Sequence, residues 1–337
     1  MLSLQDVRAV DREGLWDAYT KWPDSIRRSL KQPVNLPKGR NFRSVVLAGM
    51  GGSGSACDIL ADWLRPRVRI PVSVVKDYKL PAYAGPDTLV VLVSLGGRTK
   101  ETRTLLRQSV ERGCSAVSMS SGELIEEMSG QLKVPFNRVE RLLVPRASIP
   151  SMVIVGARIL AGLGLFQDVS DLESAAKAVE EALTHAAATV PLGRNISKKL
   201  ATELRGKRVA IYSPPGTASV ALHFKNSMNE NAKVPVQVET YPELFHNEIE
   251  TWVKRGDRAV VMLRVLELEN NTKGELGMLE KLLKRFKVPV TEMRTEACGL
   301  PTYLAWSLTL DLATVYLAVL EGRAPAPTPI LSRMKKD

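Results

Sequence analysis

Gly49-Met50-Gly51-Gly52-Ser53-Gly54-Ser55 places four glycines and two serines within seven residues. The apolar run Ser44–Ala48 precedes it and reads as a buried strand, and a helical pattern from Ala56 to Leu64 follows. Such a turn suits an anion, because glycine admits close backbone N–H groups and a helix start presents unpaired donors with partial positive charge. The pattern is not G-x-x-x-x-G-K-[ST], which excludes a nucleoside-triphosphate P-loop, and it lacks the G-x-G-x-x-G spacing. A tight strand-to-helix turn that merely needs flexible residues is the alternative. A second candidate, Ser94-Leu95-Gly96-Gly97-Arg98-Thr99-Lys100-Glu101-Thr102, follows the apolar run Thr88–Val93. Ser94 and Thr99 offer hydroxyl donors there, unless they serve only as turn and cap residues. Ligands of open α/β sheets bind beyond the carboxyl ends of strands, so two such turns can hold one phosphate between them.

Proton-transfer chemistry needs a carboxylate and often an imidazole. The chain has three histidines. His185 lies in an alanine-rich helical stretch and reads as a surface residue. His223 falls mid-helix among apolar neighbours, as a core or interface histidine does. His246 stands among polar residues after a Pro-initiated turn, close to Glu243 and Glu248, with Glu230 upstream in Asn229-Glu230-Asn231-Ala232-Lys233. Carboxylates beside basic residues on helices also form structural ion pairs, and that reading stays open for this segment alone. No HExxH or other metal-ligand spacing occurs.

Elements that could position these groups alternate along the chain. Strands are predicted at Ser44–Ala48, Val72–Val75, Thr88–Val93, Ala116–Met119 and Leu132–Val134, with helices at 55–64, 100–112 and 121–129. Residues 151–205 hold no convincing strand, and their apolar pattern is helical from Ser151 to Gly164 and again from Leu172 to Val190. Alternation then returns: strand Arg208–Tyr212, helix Ala218–Asn231, strand Val236–Thr240, helix Pro242–Val253, strand Arg258–Val265, helix Lys273–Arg285, strand Val288–Met293 and helix Tyr303–Glu321. This pattern predicts two similar α/β domains, each a mostly parallel sheet covered on both faces, with a helical bridge between. Residues 3–30 add leading helices.

Composition narrows the class. A 337-residue chain that is 45% hydrophobic and 25% charged is globular in character. The net charge of +11 comes with only 5% aromatics and with basic residues spread beside acidic ones. That distribution fits steering of small anions rather than a nucleic-acid surface. No run approaches the ~20 apolar residues of a membrane span, and Met1–Arg12 carries Asp6 and Arg8, unlike a signal peptide. Three scattered cysteines make no disulfide framework, which suits a reducing cytoplasm.

Together, Gly49–Gly54, the Ser94–Thr102 turn, Pro145-Arg146-Ala147, Asn229–Lys233 and His246-Asn247-Glu248 resemble the archaeal-type bifunctional phosphoglucose/phosphomannose isomerases, from about residue 40 to the C-terminal lysines. The resemblance implies two sugar-isomerase (SIS) domains of the doubly wound, flavodoxin-like type. Residues 1–165 would form the first domain with its leading helix, and residues 166–337 the bridge, second domain and tail. It implies interconversion of glucose 6-phosphate and mannose 6-phosphate with fructose 6-phosphate through an enediol, without metal or cofactor, in a homodimer. Gly52, Ser53, Ser94 and Thr99 would hold the 6-phosphate and Arg146 would stabilise enediolate charge. Glu230 would move the proton between C2 and C1, and His246, donated by the neighbouring subunit, would assist ring opening with Lys335. Thr328 would leave room for both epimers at C2. The chain departs from its relatives at Gly96, where they usually carry serine, and Arg98 and Lys100 bring compensating positive charge. Two alternatives remain: a sugar-phosphate-binding regulator without turnover, for which no DNA-binding segment is evident, and a SIS isomerase for another sugar phosphate.

Overall fold

The computed structural model describes residues 2–39, 41–253 and 256–334. The chain divides into two compact units, Lys21–Lys177 and Met1–Thr20 with Ala178–Asp337. The division falls inside the helix Ser170–Ala186, and the leading helices Leu4–Val10 and Leu15–Thr20 belong to the second unit. This grouping differs from the one suggested by the sequence. A long-range contact accounts for it: Trp16 Nε1–H donates to the Tyr316 hydroxyl at 3.2 Å, and Tyr19 is wholly buried.

The first unit holds β1 (Ser44–Gly49), β2 (Val72–Val75), β3 (Thr88–Val93), β4 (Ser115–Ser120) and β5 (Phe136–Arg138). They form a parallel sheet in the order β2-β1-β3-β4-β5, the flavodoxin-like order. Every residue of β1 and β3 is buried, as expected of strands covered on both faces. Gly156, in the helix Ile149–Gly162, lets that helix approach Gly51–Leu64, because a Cβ there would stand 2.6 Å from Leu60 Cδ1.

The second unit repeats the plan with one strand fewer. Strands β6 (Arg208–Ser213), β7 (Val236–Thr240), β8 (Arg258–Val265) and β9 (Val290–Thr295) run parallel in the order β7-β6-β8-β9. Leu300–Leu320 is its central helix. Contrary to expectation, this helix is long and apolar enough to cross a membrane, but 83% of its most apolar window is buried within the fold, so it serves as core.

Four sequence expectations shift. Leu132–Val134 and the start of Val288–Met293 are helix ends rather than strand: Lys133 and Lys287 take left-handed φ values of +56° and +52°. The N–H groups of Val134 and Val288 then donate back to Ser129 and Leu283 carbonyls, and the strands begin only after the following proline. Pro242–Val253 forms two 3-10 segments, Glu243–His246 and Glu248–Val253, broken at Asn247 (φ −150°, ψ −65°). Ala218–Asn231 is α-helical only to Ser227 and widens into a π turn, Met228–Ala232.

Candidate active site

In the first unit the strand order reverses between β1 and β3, and both candidate anion turns lie at those carboxyl ends, where such folds bind ligands. The helix Gly51–Leu64 starts after Met50 with no side-chain cap, and the helix Lys100–Glu111 starts after Thr99, whose hydroxyl makes no cap bond. Two helix starts therefore keep N–H donors available for an anion. Instead of capping, Thr99 Oγ1 accepts from the Ser94 hydroxyl at 3.2 Å. Ser53 Oγ accepts from Leu95 N–H at 3.1 Å and donates to Met152 Sδ at 3.5 Å, which ties the first turn to the second. Gly52 packs against the Pro145–Arg146 peptide so closely that a Cβ there would stand only 2.7 Å from Pro145 C. Arg146 is 4% exposed, in the turn Pro145–Ser148. The first unit thus brings Gly52, Ser53, Ser94, Thr99 and Arg146 together.

Sequence reasoning missed the supports of the second turn. Ser120 Oγ donates to the Ser94 carbonyl at 2.6 Å and accepts from Gly122 N–H at 2.9 Å, while Ser121 Oγ donates to the Leu95 carbonyl at 2.7 Å. The signal was Ser120-Ser121-Gly122, a third serine-glycine turn after a strand. The equivalent switch point of the second sheet has changed character: Leu268 lies against Gly216, and Glu267 and Glu269 flank it.

In the second unit, Glu230 lies on the π turn and lines an open cavity of about 610 Å³ together with Asn229, Lys233 and Thr328. That volume suits a small ligand. The Lys233 ammonium donates to the Glu230 carbonyl and, at 2.8 Å, to the Pro327 carbonyl, so it joins the π turn to the segment that carries Thr328. His246 is exposed and lies outside this cavity lining. Neither nearby carboxylate supports it. Glu243 accepts from Asn247 Nδ2 at 2.8 Å, and the buried Glu248 accepts from the Tyr212 hydroxyl at 3.0 Å and from Gln237. Burial and the Glu248 charge push the Tyr212 hydroxyl pKa upward. His223 is a core residue, 2.9 Å from Asp311 Oδ2 through Nε2. Lys335 lies outside the described residues. Among those described, no group of three or more His, Cys, Asp or Glu residues is placed to hold a metal ion.

Residues 40–124 match the SIS domain family, and residues 194–337 match the bacterial phospho-glucose isomerase C-terminal SIS domain. A curated Aquifex aeolicus protein named bifunctional phosphoglucose/phosphomannose isomerase is 30% identical over 88% of this chain and 90% of its own length. The chain belongs to the bifunctional phosphoglucose/phosphomannose isomerase family. A Pyrobaculum aerophilum protein of the same name is 28% identical over 94% of this chain and 97% of its own. At the level of fold, the C-terminal domain of glucosamine-fructose-6-phosphate aminotransferase from Francisella tularensis superposes with a TM-score of 0.71 at 14% identity, covering 93% of this chain and 98% of that one. This member of the family therefore comprises two parallel-sheet SIS units, and both candidate anion turns lie in the first.

Proposed function

We propose that this chain interconverts glucose 6-phosphate and mannose 6-phosphate with fructose 6-phosphate as an aldose–ketose isomerase. The observation that carries the reading is the paired turn of the first unit, where Ser53, Ser94 and Thr99 join two uncapped helix starts beside Arg146. Such a site grips a phosphate dianion, and remote binding energy of that kind orients the reacting carbons.

In the open-chain aldose the Glu230 carboxylate takes the C2 proton, and the electron pair moves to form the C1–C2 enediolate. The Arg146 guanidinium stabilises the negative charge on its oxygens. A proton passes from the C2 oxygen to the C1 oxygen, and Glu230 returns its proton to C1 to give the ketose. Thr328, which lines the same cavity as Glu230, leaves room for either C2 epimer. His246 and Lys335 assist ring opening. We assign His246 to the site of a second copy in a homodimer; its exposure and its lack of an internal hydrogen bond among the described residues support that role. A cytoplasmic setting accords with three free cysteines.

A coupled assay started from fructose 6-phosphate and read for both glucose 6-phosphate and mannose 6-phosphate tests the proposal. Formation of both is expected. Tight binding of fructose 6-phosphate without product would make the chain a sugar-phosphate-binding regulator, and turnover of some other sugar phosphate alone would move it to a different SIS isomerase.

A further inference from the structure

A π turn holds about one residue more per turn than an α-helix, is rare, and occurs mostly as a single-turn bulge within an α-helix. The turn Met228–Ala232 is tied by side-chain hydrogen bonds on its buried side. Asn231, adjacent to Glu230 in the chain and wholly buried, donates through Nδ2 to Thr314 Oγ1 at 2.7 Å and to the Tyr19 hydroxyl at 3.2 Å. Thr314 is itself buried in the helix Leu300–Leu320, and its hydroxyl donates to the Asp311 carbonyl at 2.7 Å. The hydroxyl proton is therefore committed, and the remaining lone pairs form an oriented acceptor for the Asn231 amide. On the outer side, Lys233 grips the Glu230 carbonyl. Two side chains at once thus constrain the peptide unit that follows Glu230. His223 and Asp311 join the same two helices closer to the start of Ala218–Ser227.

We propose that Thr314 is a positioning residue for Glu230, acting through Asn231: its oriented hydroxyl fixes the π turn and so the place of the carboxylate. The inference rests on Glu230 being the base. A base must be held within a fraction of an ångström of its productive position beside the carbon-bound proton, and a displacement of about 1 Å costs on the order of 10²-fold in rate. Phosphate affinity, which depends on the first unit's turns, is not touched by the same displacement.

Thr314→Val preserves shape and removes the acceptor, whereas Thr314→Ser keeps the hydroxyl. Steady-state kinetics with fructose 6-phosphate, inhibition by inorganic phosphate and thermal melts would be measured for both, alongside Glu230→Gln. Expected for T314V is a kcat lowered about 10- to 50-fold with KM and phosphate inhibition within about twofold of wild type, and for T314S a kcat restored to within about threefold. A T314V enzyme with wild-type kcat overturns the proposal. So does a loss shared equally by T314S, or a parallel loss of phosphate inhibition, either of which marks Thr314 as structural. If E230Q itself turns over normally, the assignment of Glu230 falls instead, whatever T314V does. Should T314V not fold, Tyr19→Phe tests the second acceptor: a several-fold lower kcat at unchanged KM supports the proposal, and an unchanged kcat overturns it.

Discussion

The Ser53 hydroxyl accepts a hydrogen bond from the Leu95 backbone N–H at 3.1 Å, across a sequence separation of 42 residues. This side-chain bond joins the turn after β1 to the turn after β3. Ser53→Ala leaves a buried N–H without its acceptor, which costs about 1–3 kcal/mol, and removes a proposed phosphate donor. The expected outcome is a lower denaturation midpoint together with inhibition by inorganic phosphate weakened about tenfold or more. A variant that loses stability but keeps wild-type phosphate inhibition would remove Ser53 from the anion site.

Gly52 is required for a different reason. A Cβ at this position would lie 2.7 Å from Pro145 C and 2.8 Å from Arg146 N, both backbone atoms that cannot rotate away. Gly52→Ala must therefore displace the peptide that carries Arg146. A stability loss of about 1–3 kcal/mol is expected from such overpacking, with kcat reduced more than KM is raised because Arg146 is the proposed partner of the enediolate. Melting curves and steady-state kinetics check both parts, and unaltered kcat would separate Arg146 from the chemistry.

Gly96 shows the opposite local geometry. A Cβ there meets nothing within 4 Å, so Gly96→Ser fits without displacing the turn. Arg98 and Lys100, both exposed on the same turn, already bring positive charge to the position. Phosphate inhibition of the G96S enzyme is expected to tighten by less than about tenfold, whereas a regained charge-assisted bond in an uncompensated site would bring about 10- to 100-fold.

The parallel sheets were legible because buried strands such as β1, β3 and β8 are short apolar runs bounded by turn residues, and the carboxyl-end rule then singled out the candidate anion turns. The misread strands share one cause. Leu132-Lys133-Val134-Pro135 and Phe286-Lys287-Val288-Pro289 both end in a β-branched residue before proline, yet in each the lysine turns left-handed and the valine N–H closes the preceding helix. Pro135 and Pro289 then offer carbonyls to Ser118 and Val260 N–H at 2.9 Å in both cases. This shared ending marks the two units as variants of one plan more clearly than any identity count. The π turn at Glu230 was not legible, because a widened turn depends on tertiary partners such as Thr314 and Tyr19 rather than on local propensity. The isolation of His246 from Glu243 and Glu248 was equally hidden, since proximity in sequence says nothing of which hydrogen bonds the carboxylates already accept.

Glu239 provides a prediction in pH. Partial burial, then the charges of Glu248 and Glu243, raise its pKa above the ordinary glutamate value. A raised carboxylate is costly to the fold when ionised, so its penalty is absent below the unfolded value. It grows as pH rises through the folded value and is complete at neutrality. Glu239→Gln is therefore expected to raise the melting temperature at pH 7, by about 1–3 °C, and to leave it unchanged near pH 4. A gain of equal size at both pH values would assign the effect to packing instead.

Glu230→Gln removes a base while keeping the size of the side chain. Isomerisation needs a carboxylate to carry a proton between C2 and C1, and an amide cannot do so at neutral pH. The proposed phosphate site in the first unit's turns does not include that group, so ground-state binding has no reason to change. The expected result is a kcat lower by at least about 10³-fold with inhibition by inorganic phosphate within about twofold of wild type. If KM rises while kcat stays high, the carboxylate at the π turn binds substrate hydroxyls and another group moves the proton. If both parameters collapse along with the melting temperature, the substitution has undone the turn itself. The inner tie of Asn231 to Thr314 argues against that outcome, because it does not pass through the Glu230 side chain.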